Sequence, residues 1–361
     1  MERVAVVGGF GFVGSHVVDA LRERKYACIR IVDRAIPSPP PGDCECRAAD
    51  VADVASCIEA LKGCDCVIHA AGLVDTRNHK QRLMEVNAIG TSHIVLACEK
   101  VGVSRLIYVS SASARSDGIW NDDDSALFGE GLASPYGASK RAGELCVQRA
   151  NNPPLLCTVS VRPQTVFGPG DKLWTESVLL GDSAPPRIGS DSKVMTPIYV
   201  KNLAHLLIET MRALPHSSAG AGDSAVTASG GSTRHPPLLV GGEILDAGDA
   251  HIAIDELREL LVSCRARPPR FPSVVLPLWA AWLLACFFEL LDLLLCLLRG
   301  GQPLDWRCLK LTRAALYYMD GANFRFKMDA YQRVGLATQR YSFPEGVRKD
   351  MQSWAARAMA A

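Results

Sequence analysis

Val4-Ala5-Val6-Val7-Gly8-Gly9-Phe10-Gly11-Phe12-Val13-Gly14 decides the fold of this chain. Four apolar residues stopped by glycines read as a buried parallel strand. Residues 13–24 behind them carry apolar positions at helical spacing. Between the two, Gly8-x-x-Gly11-x-x-Gly14 leaves the backbone bare. Glycine allows the tight turn and lets main-chain N–H groups approach a pyrophosphate, and the helix opened by Phe12 and Val13 adds a partial positive charge at its N-terminus. Asp33 stands 19 residues beyond Gly14, at the end of a second predicted strand, Cys28 to Val32. A carboxylate there accepts hydrogen bonds from the adenosine ribose hydroxyls and repels a 2′-phosphate, which predicts NAD rather than NADP. Arg34 next door works against that preference, because a guanidinium can hold a phosphate.

Outward from this turn the chain keeps alternating. Further strands are predicted at 66–69, 106–110 and 158–161, with helices at 54–62, 80–101 and 136–150. Strands alternating with helices give an α/β fold with a doubly wound parallel sheet and right-handed crossovers. The expected division is a Rossmann domain over 1–190 and a substrate-binding region over 191–270, interrupted by a small-residue polar insertion at 217–234. An apolar segment at 271–299 and a helical tail at 300–361 follow. Asp50 follows the third strand region and reads either as a contact to the adenine edge or as an N-cap for the helix at 54–62. Ala70-Ala71-Gly72 after the fourth strand lets a cofactor pass close to the backbone.

Tyr136-Gly137-Ala138-Ser139-Lys140 places a phenol and an amine on one helix face, with Pro135 suited to the first turn. A phenol titrates at about 10 and is a poor base at neutral pH, but a nearby cation favours the phenolate. Ser111 ends a buried strand, where its hydroxyl can orient a substrate oxygen. Together the three read as an alcohol/ketone redox site: base, pKa tuner and orienting donor.

These motifs, in this order, resemble the extended short-chain dehydrogenase/reductase superfamily and, more closely, the 3β-hydroxysteroid dehydrogenase family. The likeness extends through Val86-Asn87-Ala88-Ile89-Gly90-Thr91, the run Tyr108-Val109-Ser110-Ser111-Ala112-Ser113, and Arg162-Pro163-Gln164-Thr165-Val166-Phe167-Gly168-Pro169. It continues in Pro197-Ile198-Tyr199-Val200-Lys201-Asn202. Within the family the chain is most similar to sterol-4α-carboxylate 3-dehydrogenases of the decarboxylating kind. The resemblance implies that Tyr136, Lys140 and Ser111 are catalytic and that Gly8, Gly11, Gly14 and Asp33 hold the dinucleotide. It also implies that Pro163 and Val166 line the nicotinamide side. Asn87 reads as a structural hydrogen bond between strand and helix more than as a proton relay. Val7 stands where the family usually has Thr, a departure that removes a turn hydroxyl and no chemistry.

Lys plus Arg number 39 and Asp plus Glu 38, a net charge of +1, which argues against a nucleic-acid partner. Met1-Glu2-Arg3 runs straight into the first strand, so no signal peptide is expected. The 13 cysteines then read as reduced thiols. Cys44-x-Cys46 and Cys64-x-Cys66 lack zinc spacing, and no metal is expected. Residues 271–288 carry no charge, whereas Glu289 and Asp292 would each cost roughly 2.5–3.5 kcal/mol at a bilayer centre. Ala281, Ala285, Glu289, Asp292, Cys296 and Arg299 share one narrow stripe of this helix. Arg265, Arg267 and Arg270 lie before it, and Arg299, Arg307 and Lys310 lie at its end and beyond. The pattern predicts a helix lying in a membrane surface, with a core helix or a homodimer interface as the alternatives. The expected location is the endoplasmic reticulum membrane, with the catalytic domain facing the cytosol. Two further readings stay open on the same fold: a nucleotide-sugar epimerase or reductase, and a dinucleotide-sensing binding protein.

Overall fold

The computed structural model describes residues 2–40, 42–74, 80–115, 135–172, 174–181, 187–188, 194–215, 239–270, 274–298 and 328–360. The expected insertion at 217–234 and the basic residues Arg299, Arg307 and Lys310 lie outside them.

Seven strands form one sheet in the order β11-β6-β5-β4-β1-β2-β3. They are β1 (Arg3–Val7), β2 (Cys28–Asp33), β3 (Glu45–Ala48), β4 (Cys66–His69), β5 (Arg105–Val109), β6 (Cys157–Pro163) and β11 (Glu243–Ala247). Every pairing among them is parallel. Both faces of such a sheet must be covered, and the strand sequences show it. In β1, Val4 and Val6 pack into one core with Leu21 and Leu207. Ala5 and Val7 pack into the other with Ile94 and Tyr108. α1 (Phe12–Glu23) and α7 (Val200–Ala213) lie against each other on the first face. On the second face lie α2 (Val54–Leu61), α4 (Gly90–Val101) and α5 (Pro135–Arg149). The sheet order reverses between β1 and β4, and the crevice at that reversal is where open α/β sheets take ligands.

The helix predicted over 80–101 runs unbroken from Lys80 to Val101 as α3 (Lys80–Met84), a π-helical turn (Glu85–Ile89) and α4. Close packing accompanies the π turn: a Cβ on Gly90 would lie 2.7 Å from Val51 Cγ2. The sheet also draws on residues past 190. α7 and β11, both beyond it, complete the sheet and its cover. Alternation is interrupted in sequence there, but β6 still offers a free edge, and β11 satisfies it by parallel pairing. A separate, smaller core holds Phe167, Tyr199, Leu257, Leu261 and Met351.

The apolar segment forms α9 (Leu278–Leu298). Only 12% of its most apolar stretch is buried, so the core-helix alternative fails. Ala281 and Ala285, on the predicted stripe, are fully buried against Ile188, whereas Trp279 and Leu283 are 68% and 63% exposed. Small residues let the helix backbone approach the body closely, and the large apolar side chains point away from it.

Candidate active site

A cavity of about 910 Å³ opens at the reversal of strand order. Gly8, Gly11, Phe12, Val13, Asp33, Asp50, Ala70, Ala71, Gly72, Ser111, Tyr136, Lys140, Pro163 and Val166 all line it. Gly14 lies just beneath. A Cβ there would sit 2.1 Å from the Gly8 carbonyl oxygen, so only glycine lets α1 start this close to β1. Gly8 has φ +81°, and a Cβ on it would meet Ala71 Cα at 2.7 Å. The first turn of α1 has no side-chain cap, which leaves its N–H groups for a ligand.

Asp33 ends β2 and accepts hydrogen bonds from Phe10 N (3.0 Å) and Arg34 N (2.7 Å). A carboxylate has about four acceptor positions, so capacity for ribose hydroxyls remains. Asp50 is no N-cap: Asp53 caps α2, accepting from Ala55 N at 3.0 Å. Five residues, Ala49 to Asp53, separate β3 from the helix, and the nearer carboxylate takes the cap. Asp50 instead accepts from Ala52 N and stays exposed on the cavity wall.

Tyr136 and Lys140 come from the first turns of α5. Lys140 is 5% exposed, and its Nζ donates to the Val109 carbonyl oxygen at 2.7 Å. Burial pushes its ammonium down to about 7, against the pull of the Glu144 carboxylate. Ser111 caps a short 3-10 turn (Ala112–Ala114), its Oγ accepting from Ser113 N. That bond uses a lone pair and not the hydroxyl proton. Asn87, in the π turn, accepts from Leu73 N at 2.7 Å and donates to Leu73 O and Ser139 Oγ. It ties the loop after β4 to α5, the structural reading of the sequence. π turns recur at functional sites because they re-aim one side chain in this way.

The sequence reading missed the group that holds these pieces together. Glu144 is fully buried one turn beyond Lys140. It accepts two hydrogen bonds from Arg162, at 2.7 Å and 2.6 Å, and one from Ser110 Oγ at 2.8 Å. Ser110 adjoins Ser111, and Arg162 adjoins Pro163. One carboxylate therefore clamps α5, β5 and β6 at the points where they deliver residues to the cavity. A signal was present: Glu144 shares the face of Lys140, and Arg162 interrupts a fully buried strand, which demands a partner. Gln164, Trp174 and Met195 also line the cavity and carried no signal at all.

This fold, with its crevice at the strand reversal, is that of the extended short-chain dehydrogenases/reductases. The pattern of the 3-beta hydroxysteroid dehydrogenase/isomerase family matches residues 5–226, and the chain belongs to that family. It is 33% identical over 250 residues to the 3beta-hydroxysteroid-dehydrogenase/decarboxylase isoform 2 of Arabidopsis thaliana, an alignment covering 63% of this chain and 44% of that protein. It is 32% identical over 222 residues to a 3 beta-hydroxysteroid dehydrogenase/Delta 5-->4-isomerase of Mycobacterium tuberculosis, covering 57% and 59%. The chain thus spans about half the length of these curated relatives. Among solved structures it resembles MoeE5 in complex with UDP-glucose and NAD, with TM-score 0.64, 20% identity and 99% of each chain covered. It also resembles UDP-glucose 4-epimerase of Thermotoga maritima, with TM-score 0.62 and 18% identity, covering 99% of this chain and 100% of that one.

Proposed function

We propose that this chain is an NAD-dependent dehydrogenase of the 3β-hydroxyl of a steroid or sterol, with a 4α-carboxysterol as substrate and loss of CO2 after oxidation. The observation that carries the reading is the meeting of Tyr136, Lys140 and Ser111 on the wall of the same cavity as the bare glycine turn. The cradle fits a dinucleotide, because the steric limits at Gly8 and Gly14 keep side chains out of the turn. Gly8, Gly11, Phe12, Val13 and Gly14 would then take the pyrophosphate and Asp33 the adenosine ribose. Asp50, Ala70, Ala71 and Gly72 would follow the cofactor, with Pro163 and Val166 beside its ring. When bound, the nicotinamide supplies the hydride acceptor. Asp33 favours NAD over NADP for the reason of charge already given.

Ser111 donates to the substrate oxygen and orients it. Tyr136, held as phenolate by the field of the Lys140 ammonium, takes the proton of the 3-hydroxyl as C3 loses hydride. Lys140 holds a ribose hydroxyl with an N–H that the Val109 carbonyl leaves free. The product of a 4-carboxysterol is a β-keto acid. Its carboxylate leaves as CO2 while the C–C electron pair moves to the ketone, whose oxygen Tyr136 and Ser111 stabilise. Trp174, Met195 and Val166 give the cavity the apolar wall that a sterol needs. NADH production across 3β-hydroxysteroids with and without a 4-carboxylate, with UDP-sugars as controls, tests this. A saturating NAD-dependent response to the carboxylated sterol, with CO2 release, is expected. Turnover of UDP-sugars alone would overturn the reading, and a conjugated enone product would favour the isomerase branch.

The exposed apolar faces of α9 support attachment to a membrane, here taken as the cytosolic face of the endoplasmic reticulum, where a sterol is dissolved. Flotation with phosphatidylcholine/phosphatidylserine vesicles checks it. Replacing Leu283 and Leu290 together by Lys should abolish flotation and leave NADH binding unchanged. Flotation that survives would remove α9 as the anchor.

A further inference from the structure

Lys140 poses an electrostatic problem. Its ammonium is buried, and the Val109 carbonyl takes only one of its three N–H groups. The others are required for ribose and phenol in the proposed chemistry. A carboxylate in direct contact would keep the amine charged but would cancel the field it exerts on Tyr136. The group found at this place is aromatic instead: the Tyr108 ring on β5, whose centroid lies 4.5 Å from Lys140 Nζ. Tyr108 is fully buried, its ring centroid 5.4 Å from that of His69 with the planes tilted by 31°. Gly143 completes the fit, because a Cβ there would lie 2.8 Å from the Tyr108 hydroxyl oxygen.

We propose that Tyr108 is a positioning residue for Lys140, its ring face seating the ammonium and holding it charged without adding a counter-charge. The negative face of the ring attracts a cation, and most strongly where water is excluded. Among the described residues, the other titratable groups around Lys140 are Glu144, Tyr136 and His69. Glu144 lies a turn away on α5 and is shared with Arg162 and Arg141. Tyr136 is the phenol it serves. His69 on β4 is kept neutral, burial and then the Lys140 charge pushing it down to about 3. From the π turn comes Asn87, which carries no charge.

The inference rests on the proposed dehydrogenase reading, so two readouts are needed. The first is kcat/KM for sterol oxidation against pH in wild type, Tyr108→Phe and Tyr108→Leu, with Tyr108→Met in reserve if the Leu variant does not fold. Activity needs the ammonium, so it falls as pH rises through the Lys140 pKa. Removing the ring lowers that pKa, and the alkaline limb should move down by about one pH unit in the Leu or Met variant. The Phe variant, which keeps the ring, should retain the wild-type limb. A Leu or Met limb that superimposes on wild type overturns the proposal. So does a Phe limb displaced as far as theirs, since the hydroxyl and not the ring would then be responsible. The second readout, NADH affinity against pH by fluorescence, needs no steroid. If no sterol is oxidised by wild type, yet the pH dependence of NADH binding shifts in the ring-less variant alone, the dehydrogenase reading falls and the seat stands.

Discussion

Tyr136→Phe should lower turnover of a 3β-hydroxysteroid by about 10²–10⁴-fold while NADH still binds, the range attributable to a positioned general base. The substitution removes one oxygen and leaves the helix start alone. Ser139 Oγ donates to the Tyr136 backbone carbonyl at 2.7 Å, a bond indifferent to the side chain. Asn87 in turn donates to Ser139, so the loop after β4 keeps its anchor. The cofactor side of the cavity contains none of the lost chemistry. Stopped-flow turnover and NADH fluorescence on the same preparation separate the two effects. Wild-type turnover in the Phe variant would show that another group accepts the proton, and the assignment of base would fail.

The second large effect is on stability. Glu144→Ala removes the buried carboxylate that accepts two hydrogen bonds from the Arg162 guanidinium, itself 8% exposed. Removing one partner of a buried pair costs about 3–5 kcal/mol. Urea unfolding should report a loss of that size. The same variant should lose activity beyond what unfolding explains, because Ser110 also loses its acceptor and Ser111 is adjacent. Glu144→Gln keeps the shape and removes the charge. It should fold better than the Ala variant and shift the alkaline limb downward, since the Glu144 carboxylate is what pulls the Lys140 ammonium up against burial. A loss under about 1 kcal/mol on Glu144→Ala would mean that Arg162 reaches water and that the clamp does not bear on the site.

What the sequence made legible follows the range of the interactions. The glycine turn was readable because two of its constraints run between near neighbours: a Cβ on Gly11 or on Gly14 would meet the Gly8 carbonyl oxygen. Tyr136 and Lys140 were readable because helical spacing alone brings them to one face. The strands at 4–7, 66–69 and 106–109 were readable because each is a mostly apolar run buried on both faces. The docking stripe of α9 was half readable: periodicity placed Ala281 and Ala285 together, but nothing local pointed to Ile188, which covers them.

The remainder depended on elements meeting across the fold. Asp50 and Asp53 both follow β3, and only the backbone path into α2 chose which one caps it. The π turn at Glu85–Ile89 answers to the loop at Leu73 and to Val51, neither of them a neighbour in sequence. β11 finds β6 some eighty residues earlier because an open sheet edge must be paired. Sequence by itself determined the class of fold, the dinucleotide-type turn and the phenol–amine pair, since each rests on propensity and spacing within a few residues. Tertiary structure alone decided how that pair is held, by a buried carboxylate on one side and an aromatic ring on the other. Desolvation makes such partners matter, and burial is a property of the assembled molecule, not of any stretch of chain.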